Sequence, residues 1–226
     1  MCCYAQTRIT LPRAANAGKD AMIDRKRYAS DYGTYDVVPY WAWTKGGTAT
    51  TGRSLLDFNL STIPATATIV SATLTLSSVN HAAEGSNSTL SGTNEGYVQR
   101  IISTWNESTV NWDNQPSTTA LNQGVLSSSN NYNDLLTSDV TNLVSDYIKN
   151  PTTSFGFMTR LQNENYYRRI VVASSDNTDA TKWPKLQVTY KIVASTDTCI
   201  VLKKNAENYG YEDAMVDDKG ATSNFG

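Results

Sequence analysis

Apolar and polar residues alternate along much of the chain, and this pattern predicts short β-strands. The clearest segment is 69–76, where the alternation continues over eight residues, as in a strand with one buried face. Segment 20–24 alternates in the same way. The other predicted strands are 9–11, 53–58, 96–102, 155–161, 169–173 and 186–193.

One segment, 138–148, has a helical period instead. Ser138 or Asp139 can cap the start of this helix, and Pro151 ends it, because proline cannot continue the hydrogen-bonded ladder. The apolar residues that recur at helical spacing are Val140, Leu143, Val144, Tyr147 and Ile148.

Three segments lack a clear period or carry a strand breaker. Segment 35–43 is rich in aromatic residues but contains Pro39, so we expect an edge strand or an exposed loop, since proline donates no ladder hydrogen bond. Segment 80–94 contains Gly85, Gly92 and a Ser/Asn/Thr run that indicate a loop. Segment 117–135 is a long polar stretch without a predicted element.

One helix among about ten short strands predicts an all-β fold, because the sheets must bury their apolar faces against each other. We expect an antiparallel two-sheet β-sandwich of the jelly-roll type over residues 7–193, with one short helix and a C-terminal strand-forming tail.

Two tryptophans lie near the middle of the chain, in segment 104–116. Trp105 and Trp112 are seven residues apart among Asn, Asp, Ser and Thr, and Gln115-Pro116 closes the segment. Indole rings supply apolar bulk and an N–H that needs a partner, and the polar residues favour turns. We therefore predict a buried turn that leads into a strand, with both tryptophans largely buried.

The same segment has the pattern W-x-E-x-T-V-x-W-x-x-Q-P, which resembles the signature of DNRLRE, or disaggregatase-related, domains of secreted bacterial and archaeal proteins. The resemblance covers about 9–190, and 164–169 is a degenerate form of the motif that names the family. It implies a jelly roll similar to carbohydrate-binding modules, and its shared residues specify the fold more than the ligand. Further family-like segments occur in the expected order at 20–24, 53–64, 72–76, 139–144 and 184–190.

Composition narrows the classes of function. The 226 residues suit one large β domain with an appendage. A net charge of −2 with 18% charged residues excludes the basic surface of a nucleic-acid-binding protein, and no apolar run approaches the ~20 residues of a transmembrane helix. Thirteen tyrosines among many Ser, Thr and Asn residues are typical of extracellular, sugar-facing or fibre-forming β proteins.

The cysteines and the first residues bear on secretion and assembly. Residues 1–6 match the end of a signal peptide, with cleavage near Ala5, or they are simply the start of the chain. Cys2, Cys3 and Cys199 are an odd set, which in a secreted protein indicates a free thiol or an intermolecular bridge.

The C-terminal segment, 194–226, repeats the start of the chain. The 27 residues of the repeat, 200–226, are too few to form a core, because domains below about 40 residues usually need disulfides, metals or oligomerisation. The repeated blocks are 200–202, 213–217 and 223–226, which copy 9–11, 20–24 and 30–33 in the same order.

A strand-like segment without its own domain can add to the sheet of another chain. We therefore expect this tail to join copies head to tail into a filament. The residues assigned to assembly are Cys199, Ile200, Leu202, Asp213, Met215, Val216, Cys2 and Cys3.

Aromatic residues supply the candidates for sugar binding, because exposed rings stack on pyranose faces. Tyr40, Trp41 and Trp43 are the first group, with Trp41 and Trp43 on one strand face. Core packing and subunit contact explain this group about as well. Tyr166, Tyr167 and Trp183 form a second group.

Aspartates supply candidate calcium ligands, since calcium takes six to eight oxygens. Asp176 and Asp179 lie in the loop richest in oxygen donors, and Asp20 and Asp24 flank an early strand. Four residues along a strand span roughly 13 Å, so Asp20 and Asp24 share an ion only if the chain bends. Turn formation and surface charge explain the same aspartates.

Catalysis is not expected. His81 is the only histidine, no G-x-S-x-G motif is present, and the carboxylates are scattered along the chain. Two functions remain open: an extracellular structural subunit that polymerises through its tail, which the repeat favours, and a carbohydrate-binding module, which the family resemblance implies.

Overall fold

The computed structural model describes residues 4–12, 18–27, 30 and 32–193. In this part of the chain, two antiparallel sheets pack face to face, which confirms the predicted all-β sandwich. The strands are β1 (Tyr4–Pro12), β2 (Gly18–Asp24), β3 (Tyr40–Lys45), β4 (Thr48–Phe58), β5 (Thr68–Ser77), β6 (Gly96–Ile101), β7 (Thr118–Leu126), β8 (Leu135–Asp139), β9 (Phe157–Leu161), β10 (Arg168–Ile170) and β11 (Lys185–Val193).

The smaller sheet has the order β1-β11-β5-β8, and the larger has the order β10-β3-β4-β9-β6-β7. Strand β4 is long enough to pair with two strands along one edge. Its first half pairs with β3 and residues 54–56 pair with β9 along that edge, while β2 pairs with residues 52–58 on the opposite edge. This arrangement leaves β10 and β7 at the ends of the larger sheet.

The main core lies between the sheets. Leu74 and Leu76 of β5 are fully buried, as the alternation of that strand predicted. They belong to one cluster with Leu56, Phe157 and Val188 from both sheets. Each such side chain contributes about 1.5–3 kcal/mol through burial, so the sandwich is stabilised chiefly by this layer.

The tryptophan turn, segment 104–116, is attached to the outer face of the larger sheet. Trp105 is 8% exposed, and it packs in a second cluster with Leu55 and Met158. Its indole N–H donates to the carbonyl of Phe155 at 2.7 Å. Trp112 is only partly buried against the same cluster, so the predicted burial is confirmed for Trp105, which anchors the turn, but not for Trp112.

The helix α1 spans Thr141–Lys149, and 3-10 turns span Arg25–Arg27, Pro151–Thr153 and Ala180–Lys182. The helix begins three residues later than predicted because Ser138 and Asp139 belong to β8. Asp139 still accepts from the Thr141 N–H at 2.9 Å, and its hydrogen bonds to Thr141 lower the pKa of Asp139. No helix in the described residues is long and apolar enough to cross a bilayer.

Segment 117–135 is more ordered than the sequence predicted, because it contains β7 and the first residue of β8. Strand β7 pairs with β6 alone and lies at the end of the larger sheet. Leu121 and Val125 are 62% and 50% exposed. Because so little of this strand is buried, it contains few apolar residues. Its sequence is therefore as polar as that of a loop, and no strand was predicted.

Segment 35–43 was expected at an edge or in an exposed loop, and this expectation is wrong. Strand β3 lies between β10 and β4, and its first three residues are buried. Pro39 precedes the strand, so it removes no hydrogen bond from the β3 ladder.

Strand β1 begins at Tyr4, so residues 4–6 pair with residues 191–193 of β11. Residues 1–3 and 194–226 are outside the described part of the chain. All the residues predicted for assembly therefore lie there: Cys2, Cys3, Cys199, Ile200, Leu202, Asp213, Met215 and Val216.

Candidate functional site

Three partly exposed aromatic residues meet at one end of the larger sheet. The rings of Trp43, from β3, and Tyr167 are 4.8 Å apart in an edge-to-face arrangement. Tyr166 contacts Tyr167 at 5.3 Å and is 50% exposed. Edge-to-face packing at these distances is favourable for aromatic pairs. We call Trp43, Tyr166 and Tyr167 the aromatic platform.

Arginine and hydroxyl groups hold the platform in place. The guanidinium of Arg169 lies 4.9 Å from the Trp43 ring centre, and its Nε donates to the Ser86 carbonyl at 2.9 Å. Burial lowers the pKa of Arg169, opposed by the negative charge of Glu84. The hydroxyls of Thr44 and Tyr167 are 3.4 Å apart. These contacts restrict the rings before any ligand arrives.

The other two residues of the first predicted sugar-binding group are not on this surface. Tyr40 is 0% exposed and belongs to the core between the sheets. Trp41 is 2% exposed, and its ring lies so close to Gly52 that a Cβ there would be 1.9 Å from Trp41 Cζ3. A buried ring offers no face to a sugar, so the first group is reduced to Trp43.

The second predicted group is also divided. Tyr166 and Tyr167 are in the platform, although they follow Trp43 by more than a hundred residues. The indole N–H of Trp183 donates to the Asn177 carbonyl at 2.7 Å, in another loop. Only the pairing of β10 with β3 brings Trp43 and Tyr167 together.

A second aromatic group, made of Tyr32, Tyr35 and His81, was not predicted. The Tyr35 ring lies 5.7 Å from Tyr32 and 5.2 Å from His81. The Tyr35 hydroxyl is 3.4 Å from Glu84 Oε1. Burial raises the pKa of Tyr35 to about 12, with contributions from Glu84 and Asp36, so the hydroxyl stays protonated and can donate a hydrogen bond at neutral pH.

The sequence model of carbohydrate-binding module family 96 matches residues 12–190, which are most of the 226 residues. The chain belongs to carbohydrate-binding module family 96. This description is of a binding module rather than a catalytic domain. It confirms the predicted likeness to carbohydrate-binding modules, while the narrower DNRLRE assignment stays a prediction. A comparison with curated proteins found no match.

This family 96 module also brings three carboxylates together at the tryptophan turn. One oxygen each from Asp20, Glu107 and Asp176 lie within 4.8 Å of one another. Glu107 Oε1 also accepts from the Asp20 N–H at 2.7 Å, and Asp20 Oδ2 accepts from the Ser175 N–H at 2.9 Å. Carboxylate oxygens suit calcium, so calcium binding stays a prediction for this cluster.

Two of the predicted calcium ligands have other roles in the structure. Asp24 is buried, forms an ion pair with Lys45 at 2.7 Å and accepts from the Thr50 hydroxyl at 3.0 Å. Burial alone would raise the pKa of Asp24, but its hydrogen bonds to Lys45, Lys26 and Thr50 lower it overall. Asp179 caps a 3-10 turn by accepting from the Thr181 N–H at 3.0 Å. Asp24 and Asp179 are therefore outside the carboxylate cluster.

A cavity lies at a different place, between α1 and the segment that follows β4. Its volume is about 540 Å³, and its lining includes Phe58, Ile63 and Pro151. The Tyr147 hydroxyl is 3.3 Å from Asp57 Oδ1 at this cavity. Burial, together with Asp57, raises the pKa of Tyr147 well above its usual range.

Proposed function

We propose that this family 96 module binds an extracellular polysaccharide by stacking sugar rings on the aromatic platform. The observation that carries this proposal is the edge-to-face pair of Trp43 and Tyr167, at 4.8 Å, on a surface that remains partly exposed. Tyr40 and Trp41 are buried nearby. Among the three aromatic residues of 40–43, only Trp43 therefore combines a ring with access to ligand.

The platform is organised before ligand binding. Arg169 lies over Trp43 and is hydrogen-bonded to Ser86, so the indole has a neighbour on one side that does not need to move. A preorganised surface loses less conformational freedom when it binds. The rings can therefore bind the apolar faces of sugars with little ordering of the protein.

Polar groups around the platform can bind sugar hydroxyls. Glu164, close in sequence to Tyr166, is held by a bidentate contact with Arg53 at 2.9 and 3.0 Å. Arg168 donates to the Asn165 carbonyl at 2.8 Å. Stacking supplies affinity, and fixed polar groups supply orientation, as is usual in small-molecule sites.

Binding to a panel of immobilised plant, algal and bacterial polysaccharides would test the proposal. We expect Trp43→Ala and Tyr167→Ala to weaken retention at least about tenfold, which corresponds to ~1.4 kcal/mol. Tyr132→Ala is the matched control, because Tyr132 is 49% exposed against 50% for Tyr166 and forms no ring contact with another described residue. Equal retention of all these variants would contradict the platform.

Assembly through the C-terminal tail is a second candidate function. The tail copies part of β2, and the position of β2 in the fold favours this assembly. All seven residues of β2 pair with β4, and Ala21, Met22 and Ile23 are fully buried. The copy in 213–217 keeps this alternation, so it suits the same position on another molecule. Light scattering of the full chain beside residues 1–198, under oxidising conditions, tests this; two monomers would contradict it.

A further inference from the structure

The platform and the second aromatic group lie along one continuous line of backbone. Strand β3 pairs with β10 from Ala42 and Arg168 to Tyr40 and Ile170. The same register continues beyond both strands to the bridge between Val37 and Ala173. Segment 37–42 therefore keeps one register with segment 168–173.

Side chains alternate across such a segment, so residues two apart share a face. Tyr35 packs with Val37, Val171 and Ala173. Arg169 precedes Val171 by two residues and therefore lies on the same face, where it contacts Trp43. Tyr35 and Trp43 thus lie on the same outer face of the larger sheet. Residues 37–43 alone span roughly 20 Å at the rise of a strand, which is longer than one sugar ring.

A short hairpin crosses the space between the two aromatic groups. His81 and Gly85 exchange backbone hydrogen bonds of 2.8 and 2.7 Å. Gly85 has a φ of +72°, and a Cβ there would lie 2.6 Å from Arg169 Nη2. The hairpin therefore rests on the same arginine that lies over Trp43.

The turn of this hairpin is exposed and carries small side chains. Ala82 and Ala83 are its exposed side chains, and neither is large enough to block a chain that passes over the hairpin. On the far side, Glu84 contacts the Tyr35 hydroxyl at 3.4 Å. The contacts run without a break from Trp43 through Arg169 and the hairpin to Tyr35.

Polar groups surround the second aromatic group. His81 Nε2 lies 3.3 Å from Asp36 Oδ1, and the Asp36 side chain is 46% exposed. Arg27 donates to the Tyr32 hydroxyl at 2.9 Å. Aromatic faces beside fixed donors and acceptors are the same combination as at the platform.

We propose that Tyr32, Tyr35 and His81 form a second sugar subsite, and that the ligand is a linear glycan bound along its length from the platform across the hairpin. This inference rests on the proposed function of the platform. It specifies the ligand as an internal stretch of several linked sugar units. A module that recognised only a chain end would need the platform alone.

Calorimetry with length-graded oligosaccharides is the test. The probes are di- to octasaccharides of β-1,4-glucan, β-1,4-mannan, β-1,4-xylan and β-1,4-linked uronate. For the series that binds, we expect affinity to rise at least about tenfold, or ~1.4 kcal/mol, between the disaccharide and the longest member. We expect Tyr32→Ala to remove most of this rise while leaving disaccharide affinity unchanged, with Tyr132→Ala as control.

Amide chemical shifts of the unaltered protein provide a second measurement that does not depend on a variant. The disaccharide should shift amides near Trp43 and Tyr167 only, whereas the octasaccharide should also shift amides near Tyr32 and His81. Affinity that is independent of length but lost in Trp43→Ala would overturn the second subsite and leave the platform intact. Length-dependent binding unaffected by Trp43→Ala would overturn both.

Discussion

Trp105 and Trp43 are both tryptophans on the outer side of the larger sheet, and each has a cation over its ring. Lys19 Nζ lies 4.1 Å from the Trp105 ring centre, and Arg169 lies 4.9 Å from that of Trp43. Trp105 is nevertheless 8% exposed, and its N–H is bonded to Phe155. Trp43 remains partly exposed beside Tyr167. Residue type and a neighbouring cation are therefore common to a buried ring and an accessible one, and exposure is what separates them.

The two regions are joined by Arg53. Its guanidinium lies 5.0 Å from the Trp112 ring centre and donates to Gln115 at 2.9 Å, while two other nitrogens bind Glu164 beside the platform. Arg53 thus links the tryptophan turn to the loop that carries Tyr166 and Tyr167. The first region therefore stabilises the fold, and the second carries the proposed ligand contact.

Trp105→Ala should have the largest effect, because it removes a buried ring and leaves the Phe155 carbonyl without its donor. We expect a loss of about 3–5 kcal/mol in the free energy of unfolding, measured with urea. Trp43→Ala is the matched control and should cost less than half as much. Similar losses for the two variants would show that Trp43 is also a core residue.

Asp24→Asn should have the next largest effect, about 2 kcal/mol at neutral pH, because Asp24 is buried with charged hydrogen bonds from Lys45. The pKa of Asp24 is lowered below 3.8 in the folded chain. A lowered pKa stabilises the folded state above the unfolded pKa, and this contribution is lost as pH falls through the folded pKa.

The difference in unfolding free energy between the unaltered protein and Asp24→Asn should therefore be constant from neutral pH down to about pH 5 and should shrink below pH 3.8. Urea titrations across this range measure it. A difference that grew on acidification would mean that the carboxylate is destabilising where it lies.

Calcium should stabilise the tryptophan turn if the carboxylate cluster binds it. At about fivefold excess over the dissociation constant, the gain is ~1 kcal/mol, or about 2–4 °C in Tm for a chain of this size. Glu107→Gln should abolish the shift, while Asp179→Asn, outside the cluster, should keep it. If calcium does not raise the Tm of the unaltered protein, the carboxylate cluster does not bind it.

Arg169→Lys should have the smallest effect, because it keeps the positive charge beside Trp43 and changes only the shape of the group that carries it. A lysine lacks the planar group that lies over Trp43 and the fixed Nε–H that binds Ser86. We expect polysaccharide affinity to fall about threefold, since an exposed cation–π contact is worth about 0.5–1 kcal/mol. Unchanged affinity would show that Trp43 needs no such support.

Local patterns by themselves determined the sandwich. The alternation in 69–76 became β5, Thr68–Ser77, with Ala72, Leu74 and Leu76 buried, because a strand with one buried face imposes a period of two. A buried turn was predicted around Trp105 because an indole among turn-forming residues needs an apolar surface to pack on, and Trp105 is buried on such a surface. The local sequence is sufficient to predict such features.

The candidate site was decided by tertiary structure. Trp41 and Trp43 share a strand face, but only the close approach of Gly52 accommodates the buried ring of Trp41. Trp43 meets Tyr167 because β10 pairs with β3, and Asp20 meets Asp176 and Glu107 because of how three distant segments pack. Sequence spacing limits contacts along one strand, whereas contacts between strands depend on register. Register is set by the whole core, because a slip of one residue would turn every buried side chain to the solvent.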